Sequence, residues 1–116
     1  MPLLVLRDPA GQADSLPEYH GYLLQEFNEP EELIQAGLTL AEGIIVIFTG
    51  DDVLVQQLRS ALPDLALVAV APAVQHMPLL AAGALEVCAD LHHDPGLLHR
   101  AMVRLQAERI RRLGSH

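Results

Sequence analysis

Gly43-Ile44-Ile45-Val46-Ile47-Phe48-Thr49-Gly50-Asp51-Asp52 is the stretch on which the fold turns. It holds the most β-branched apolar run in the chain, set between two glycines. That pattern suits a strand buried on both faces, and so the central strand of a sheet. Asp51 stands where a carboxylate caps a helix start. The apolar residues that follow, Leu54, Leu58, Ala61 and Leu62, recur at helical spacing until Pro63 stops them.

Working outward toward the N-terminus, Leu3-Leu4-Val5-Leu6 is a second continuous apolar run, ended by Arg7-Asp8-Pro9. Pro9, Gly11 and Pro17 leave room for a helix of at most two turns before Tyr22-Leu23-Leu24 opens the next strand. Glu29-Pro30-Glu31-Glu32 starts a helix well, with proline in the first turn and carboxylates at the positive end of the dipole. Leu33, Ala36, Gly37 and Leu40 give that helix a narrow apolar face. Toward the C-terminus, Leu65 to Val70 reads as a fourth strand. Pro72 opens a weak helix interrupted by Pro78 and closed at Gly83, Leu85 to Ala89 forms a fifth strand, and a long helix runs from about Pro95 to Leu113. Strands alternating with helices require crossover connections, and hence a parallel sheet. The expectation is one α/β domain over residues 1–113: a doubly wound, flavodoxin-like (βα)5 fold with a five-stranded parallel sheet and a shortened first helix. Function in such sheets gathers at the carboxyl ends of the strands. Here that rim comprises Arg7-Asp8, Thr49 to Asp52, Ala71-Pro72 and Asp90 to Asp94.

The 116 residues suffice for one core, and 51% are apolar although Phe and Tyr occur twice each and Trp not at all. Aliphatic side chains must therefore build the interior. Cys88 stands alone, which excludes an internal disulfide. With no signal peptide and no apolar run of bilayer length, a cytoplasmic protein without membrane contact is expected. Up to Pro95 there are 14 acidic residues against Arg7 and Arg59, so the body is anionic and nucleic acid is an improbable partner. From Gly96 onward the balance reverses, with Arg100, Arg104, Arg109, Arg111 and Arg112 against Glu108. All 7 basic residues are arginine, so no step that needs a lysine amine is open to this chain.

Leu80-Ala81-Ala82-Gly83-Ala84-Leu85-Glu86-Val87, followed by Asp94-Pro95-Gly96-Leu97-Leu98, resembles the receiver domain of bacterial response regulators. In that family too a helix ends in Ala-Gly-Ala, a fifth strand follows at once, and the last helix begins after a loop containing Asp-Pro. The resemblance covers nearly the whole chain. It implies a site with two acidic residues after strand one for Mg²⁺, an aspartate nucleophile ending strand three, a Ser or Thr ending strand four and a lysine ending strand five. Phosphoryl transfer needs metal, carboxylate and cation together. The matching positions are Arg7 and Asp8 for the acidic pair, Phe48 or Thr49 for the nucleophile, Val70 or Ala71 for the Ser/Thr, and Asp90 for the lysine. Four of the five roles are thus lost. The resemblance implies a pseudo-receiver: a signalling domain of a two-component-type protein that is not an enzyme, takes no cofactor, and acts by contact.

Other signals are weaker. Asp8, Asp51 and Asp52 are the candidate cation ligands, although capping and the helix dipole explain Asp51 and Asp52 without a metal. His92, His93, Asp94 and His99 lie in and beside a turn without the spacing of a metal site. In the last helix Leu98, Met102 and Leu105 form a stripe suited to packing on the sheet, while Val103, Ile110 and Leu113 form another on a different face. The helix over residues 96–113 thus reads as a linker to an output domain, as a dimer's coiled coil, or as a frayed terminal helix. Gly114-Ser115-His116 resembles a vector-derived remnant. The partners expected are a second copy, an output domain or a partner signalling protein, met through the helices flanking the fifth strand, with Met77, Leu79, Arg100, Met102 and Arg104 as interface residues. A phosphorylatable regulator of unusual sequence and a small-molecule-binding flavodoxin-like module remain as alternatives.

Overall fold

The computed structural model describes residues 1–7, 21–94 and 96–114. The first crossover, with Asp8 and the expected short helix, lies outside the described residues, as do Pro95, Ser115 and His116. Five strands, β1 (Pro2–Arg7), β2 (Leu23–Phe27), β3 (Ile44–Phe48), β4 (Ala66–Val70) and β5 (Glu86–Cys88), form one parallel sheet in the order β2-β1-β3-β4-β5. This is the flavodoxin-like, doubly wound arrangement. Every residue of β3 and β4 is buried, as continuous apolar runs covered on both faces require. β2 lies at one edge and is mostly exposed.

Among the described residues four helices cover the sheet: α1 (Pro30–Gly37), α2 (Asp52–Ala61), α3 (His76–Ala82) and α4 (Leu97–Gly114). Because strand side chains alternate between faces, the sheet divides the core in two. Leu4, Leu6, Ile45, Ile47 and Leu67 meet Leu33 of α1, Val55 and Leu58 of α2 and Leu79 of α3. Leu3, Val5, Ile44, Val46 and Val68 belong to the opposite layer, with Leu97, Leu98, Ala101, Met102 and Leu105 of α4. Each fully buried leucine contributes about 1.5–3 kcal/mol relative to exposure, so these two layers dominate the stability.

Local chemistry sets the ends of the elements. The Asp51 side chain accepts from the Val53 and Leu54 amides at 2.9 and 3.4 Å and caps α2. α1 stops at Gly37, sooner than the expected apolar face to Leu40, where the chain presses on its neighbours: a Cβ there would lie 2.6 Å from Leu62 Cδ1. Pro78 does not interrupt its helix. A 3-10 turn over Ala73–Gln75 leads into α3, and Pro78 falls in the first helical turn, where its missing amide is not needed. Gly83 closes α3 at φ +124°, and the Gly83 and Ala84 amides bond back to the Leu80 and Leu79 carbonyls at 3.1 Å each. The Ala-Gly-Ala signature is therefore a left-handed helix stop that turns the chain into β5.

Candidate functional site

The parallel register aligns the strand ends. Arg7 pairs with Phe48, Phe48 with Val70, and Val70 with Cys88, so one row across the carboxyl rim reads Arg, Phe, Val, Cys. The Arg7 guanidinium lies 5.6 Å from the centroid of the Phe48 ring and donates to Glu26 Oε1 on β2 at 3.2 Å. A cation thus sits on an aromatic face at the end of β3, an attraction of about 0.5–1 kcal/mol or more when desolvated. Beyond that row, Thr49 is buried and its hydroxyl oxygen accepts from the Asp51 amide at 3.0 Å. The Ala71 amide donates to the Cys88 carbonyl at 2.9 Å.

The rim encloses a cleft of about 160 Å³ between the ends of β1 and β3 and the starts of α1 and α2, lined among others by Arg7, Asn28, Phe48, Thr49, Asp51 and Leu54. Typical small-molecule pockets span about 300–1,000 Å³, so this one is small, with room for a few waters or a molecule of about the size of benzene. The residues present do not fit the Mg²⁺ that the receiver resemblance implies. Arg7 brings a positive charge, Phe48 offers no ligand atom, and Asp51 is engaged in capping; Asp52 is exposed in the first turn of α2, and Asp8 is outside the described residues. Among the described residues no group of three His, Cys, Asp or Glu side chains converges on a metal position, and His92, His93 and His99 are exposed.

On the same rim, at the β5 edge of the sheet, Asp90 accepts from the His92 amide at 2.9 Å and caps a 3-10 turn over Leu91–His93. Asp90 therefore does local structural work as an acid. Cys88 is buried, and burial, together with Asp94 and Asp90, pushes its thiol up to about 11. This is the environment of an inert core thiol.

The expected interface separates into core and surface. Leu79 is fully buried and Met102 nearly so, because both lie on the helix faces turned to the sheet; neither is available for docking. Met77 is 76% exposed, and the side chains of Arg100 and Arg104 are about half exposed. Both arginines are already engaged within the chain. Arg100 forms a two-pronged ion pair with Asp94, whose carboxyl it holds below the usual carboxylate range. Glu86 of β5 is only 8% exposed, with Oε1 3.1 Å from Arg104 Nε and 3.6 Å from Arg100 Nε, although it accepts no aligned hydrogen bond. Arg104 also donates to the Leu85 carbonyl at 3.2 Å. Sequence reasoning missed Glu86; the usable signal was an acidic residue sharing a strand face with Cys88, opposite two arginines one helical turn apart. Val103, Ile110 and Leu113 are exposed, as their separate stripe implied.

No protein-family model matches the chain, and no curated protein matches it. No helix among the described residues is long and apolar enough to cross a membrane.

Proposed function

We propose that the chain is a pseudo-receiver: a non-catalytic signalling domain that works by protein contact, as a dimer or against an output or partner domain, without aspartate phosphorylation. The observation that carries this reading is the rim row Arg7-Phe48-Val70-Cys88, flanked by Thr49 and Ala71. Phosphoryl transfer to a carboxylate needs a nucleophile at the end of the central strand and cations around the transferred group. Phe48 and Thr49 provide no carboxylate, and the chain has no lysine. The sheet order and the Gly83 helix stop support the receiver likeness. The bidentate pairing of Arg100 with Asp94 and the arginine cover over Glu86 support a structural role for the α4 edge.

The test is incubation with radiolabelled acetyl phosphate and Mg²⁺, alongside solution mass with and without beryllofluoride. No label and an unchanged mass are expected. Stoichiometric labelling would overturn the reading in favour of an unorthodox phosphorylatable regulator. A small-molecule reading that uses the strand rim would rest on the rim cleft, whose volume argues against anything of drug size.

A further inference from the structure

The sheet ends at β2 with its outer edge open. In a parallel ladder the amide and carbonyl of one residue turn to the same side, and successive residues turn to opposite sides. The Leu23 amide donates to the Met1 carbonyl at 2.9 Å, so Leu23, Gln25 and Phe27 bond toward β1, while Leu24 and Glu26 present their backbone groups outward. Among the described residues β2 has no strand on that side. Edge strands are commonly blunted by lysine, proline or a bulge. β2 carries none of these: it reads Leu-Leu-Gln-Glu-Phe, and its register with β1 runs unbroken from Leu23 to Phe27. Its one charge, Glu26, accepts from Arg7 of β1 at 3.2 Å. Leu23 and Leu24 are 72% and 50% exposed, on opposite faces of the strand.

We infer that β2 pairs antiparallel with β2 of a second copy about a twofold axis through Gln25, joining two five-stranded sheets into one. The inference rests on the contact-based reading above, and it places the contact at the opposite edge of the sheet from Arg100 and Arg104. Open amides and carbonyls in a row select a strand as the occupant. The register selects this one. With Gln25 opposite the partner's Gln25, the outward groups of Leu24 meet those of the partner's Glu26, twice over by symmetry. Leu23 then packs against the partner's Phe27 in a close, non-hydrogen-bonded pair, and Glu26 opposes a leucine instead of its own copy. Charge agrees. Each copy bears a formal charge of −8, so most approaches between copies bring acid toward acid. The acids that follow β2, namely Glu29, Glu31 and Glu32, all lie beyond its carboxyl end. Antiparallel pairing sends the two sets to opposite ends of a strand about 17 Å long, well past the screening length of about 8 Å at physiological salt. The other exposed apolar side chains have no such setting. Val53 stands beside Asp51 and Asp52, and Val74 and Met77 lie on helical turns whose backbone bonds are made internally; Leu38 lies between Glu32 and Glu42, and Ile110 and Leu113 stand among Arg109, Arg111 and Arg112. Length sets the strength. A ladder of about 17 Å falls short of the roughly 800 Å² per partner of a standard interface, so the dimer is weak and concentration-dependent.

The experiment is sedimentation equilibrium of the full chain from micromolar to millimolar concentration. The wild type should rise from monomer toward dimer mass. Leu24→Pro removes an outward amide that the fold itself does not use, and should weaken association by about 10-fold or more. Gln25→Glu and Gln25→Arg, at an exposed position, set like charges against each other on the axis. Each should self-associate about 5-fold more weakly, yet the two should associate when mixed, a rescue that a folding defect does not give. Gln25→Cys should form a disulfide-linked dimer on mild oxidation, because opposed residues of a non-hydrogen-bonded pair lie about 4.5 Å apart at Cα, within disulfide reach. Met77→Cys should not. The inference is overturned by a wild type that stays monomeric, which would leave the edge to a different strand, by normal dimerisation of Leu24→Pro, by mixed Gln25 variants that do not associate, or by crosslinking of Met77→Cys in place of Gln25→Cys. Acetyl phosphate labelling judges the pseudo-receiver reading separately, whatever the masses show.

Discussion

At the sulfur of Cys88, burial and the carboxylates of Asp94 and Asp90 act in the same direction, against the thiolate. With the thiol raised from its ordinary 9.0 to about 11, the folded state carries about 100-fold fewer thiolates than a free thiol would at pH 8. Iodoacetamide should therefore alkylate the native protein at least that much more slowly than the urea-unfolded chain; equal rates would contradict the buried placement. The sign for stability follows. A group whose pKa is raised by folding stabilises the fold below its unfolded value, so this contribution fades as pH climbs from about 9 to about 11. Asp94 behaves oppositely. Its carboxyl is lowered chiefly by the hydrogen bonds from Arg100, so its contribution is present above the ordinary carboxylate range and is lost as pH falls through its own midpoint. A carbon-detected NMR titration should place Asp94 below the ordinary value of about 3.9, and Arg100→Gln should return it there.

Among the elements, those announced by local chemistry were legible. β3 needed only a β-branched run between glycines, and α2 only Asp51 and a 3.6-residue period; both stand where the sequence placed them. Asp51→Ala should cost about 1 kcal/mol in urea denaturation, the usual worth of an N-cap. Gly83→Ala should cost more, because the new methyl group meets a positive φ and the Arg59 stem together. What depends on tertiary pairing was not legible. Leu79 and Met77 are two positions apart on α3, and nothing local says which of them meets the sheet. Glu86 is equally opaque, since a carboxylate in a strand is tolerable in the interior only once Arg100 and Arg104 come over it from a later element. Glu86→Ala should destabilise by about 1–3 kcal/mol in the same assay. The rim row was readable by position, while the stacking of Arg7 on Phe48 required the register of β1 on β3.

For the whole molecule, the uneven spread of charge makes ionic strength a diagnostic. If copies meet through a surface without ion pairs, the net repulsion of two chains of formal charge −8 is screened by salt, and association should strengthen between about 50 mM and 500 mM NaCl. Contact through ion pairs at Arg100 and Arg104 would weaken over the same range. The charges of α4 also have a mechanical meaning. Along this helix Arg100 and Arg104 meet Asp94 and Glu86, then Glu108 meets Arg59, and Arg109 meets Asp64. Sliding α4 by one turn would bring Glu108 toward Glu86 and Arg112 toward Arg59, like against like at both stations. The pattern works as a vernier with one matching setting. Movement passed from the sheet to the end of α4 is therefore expected to travel as a tilt or rotation of the helix with its bed, since a ratchet of one turn in that direction exchanges matched pairs for like charges.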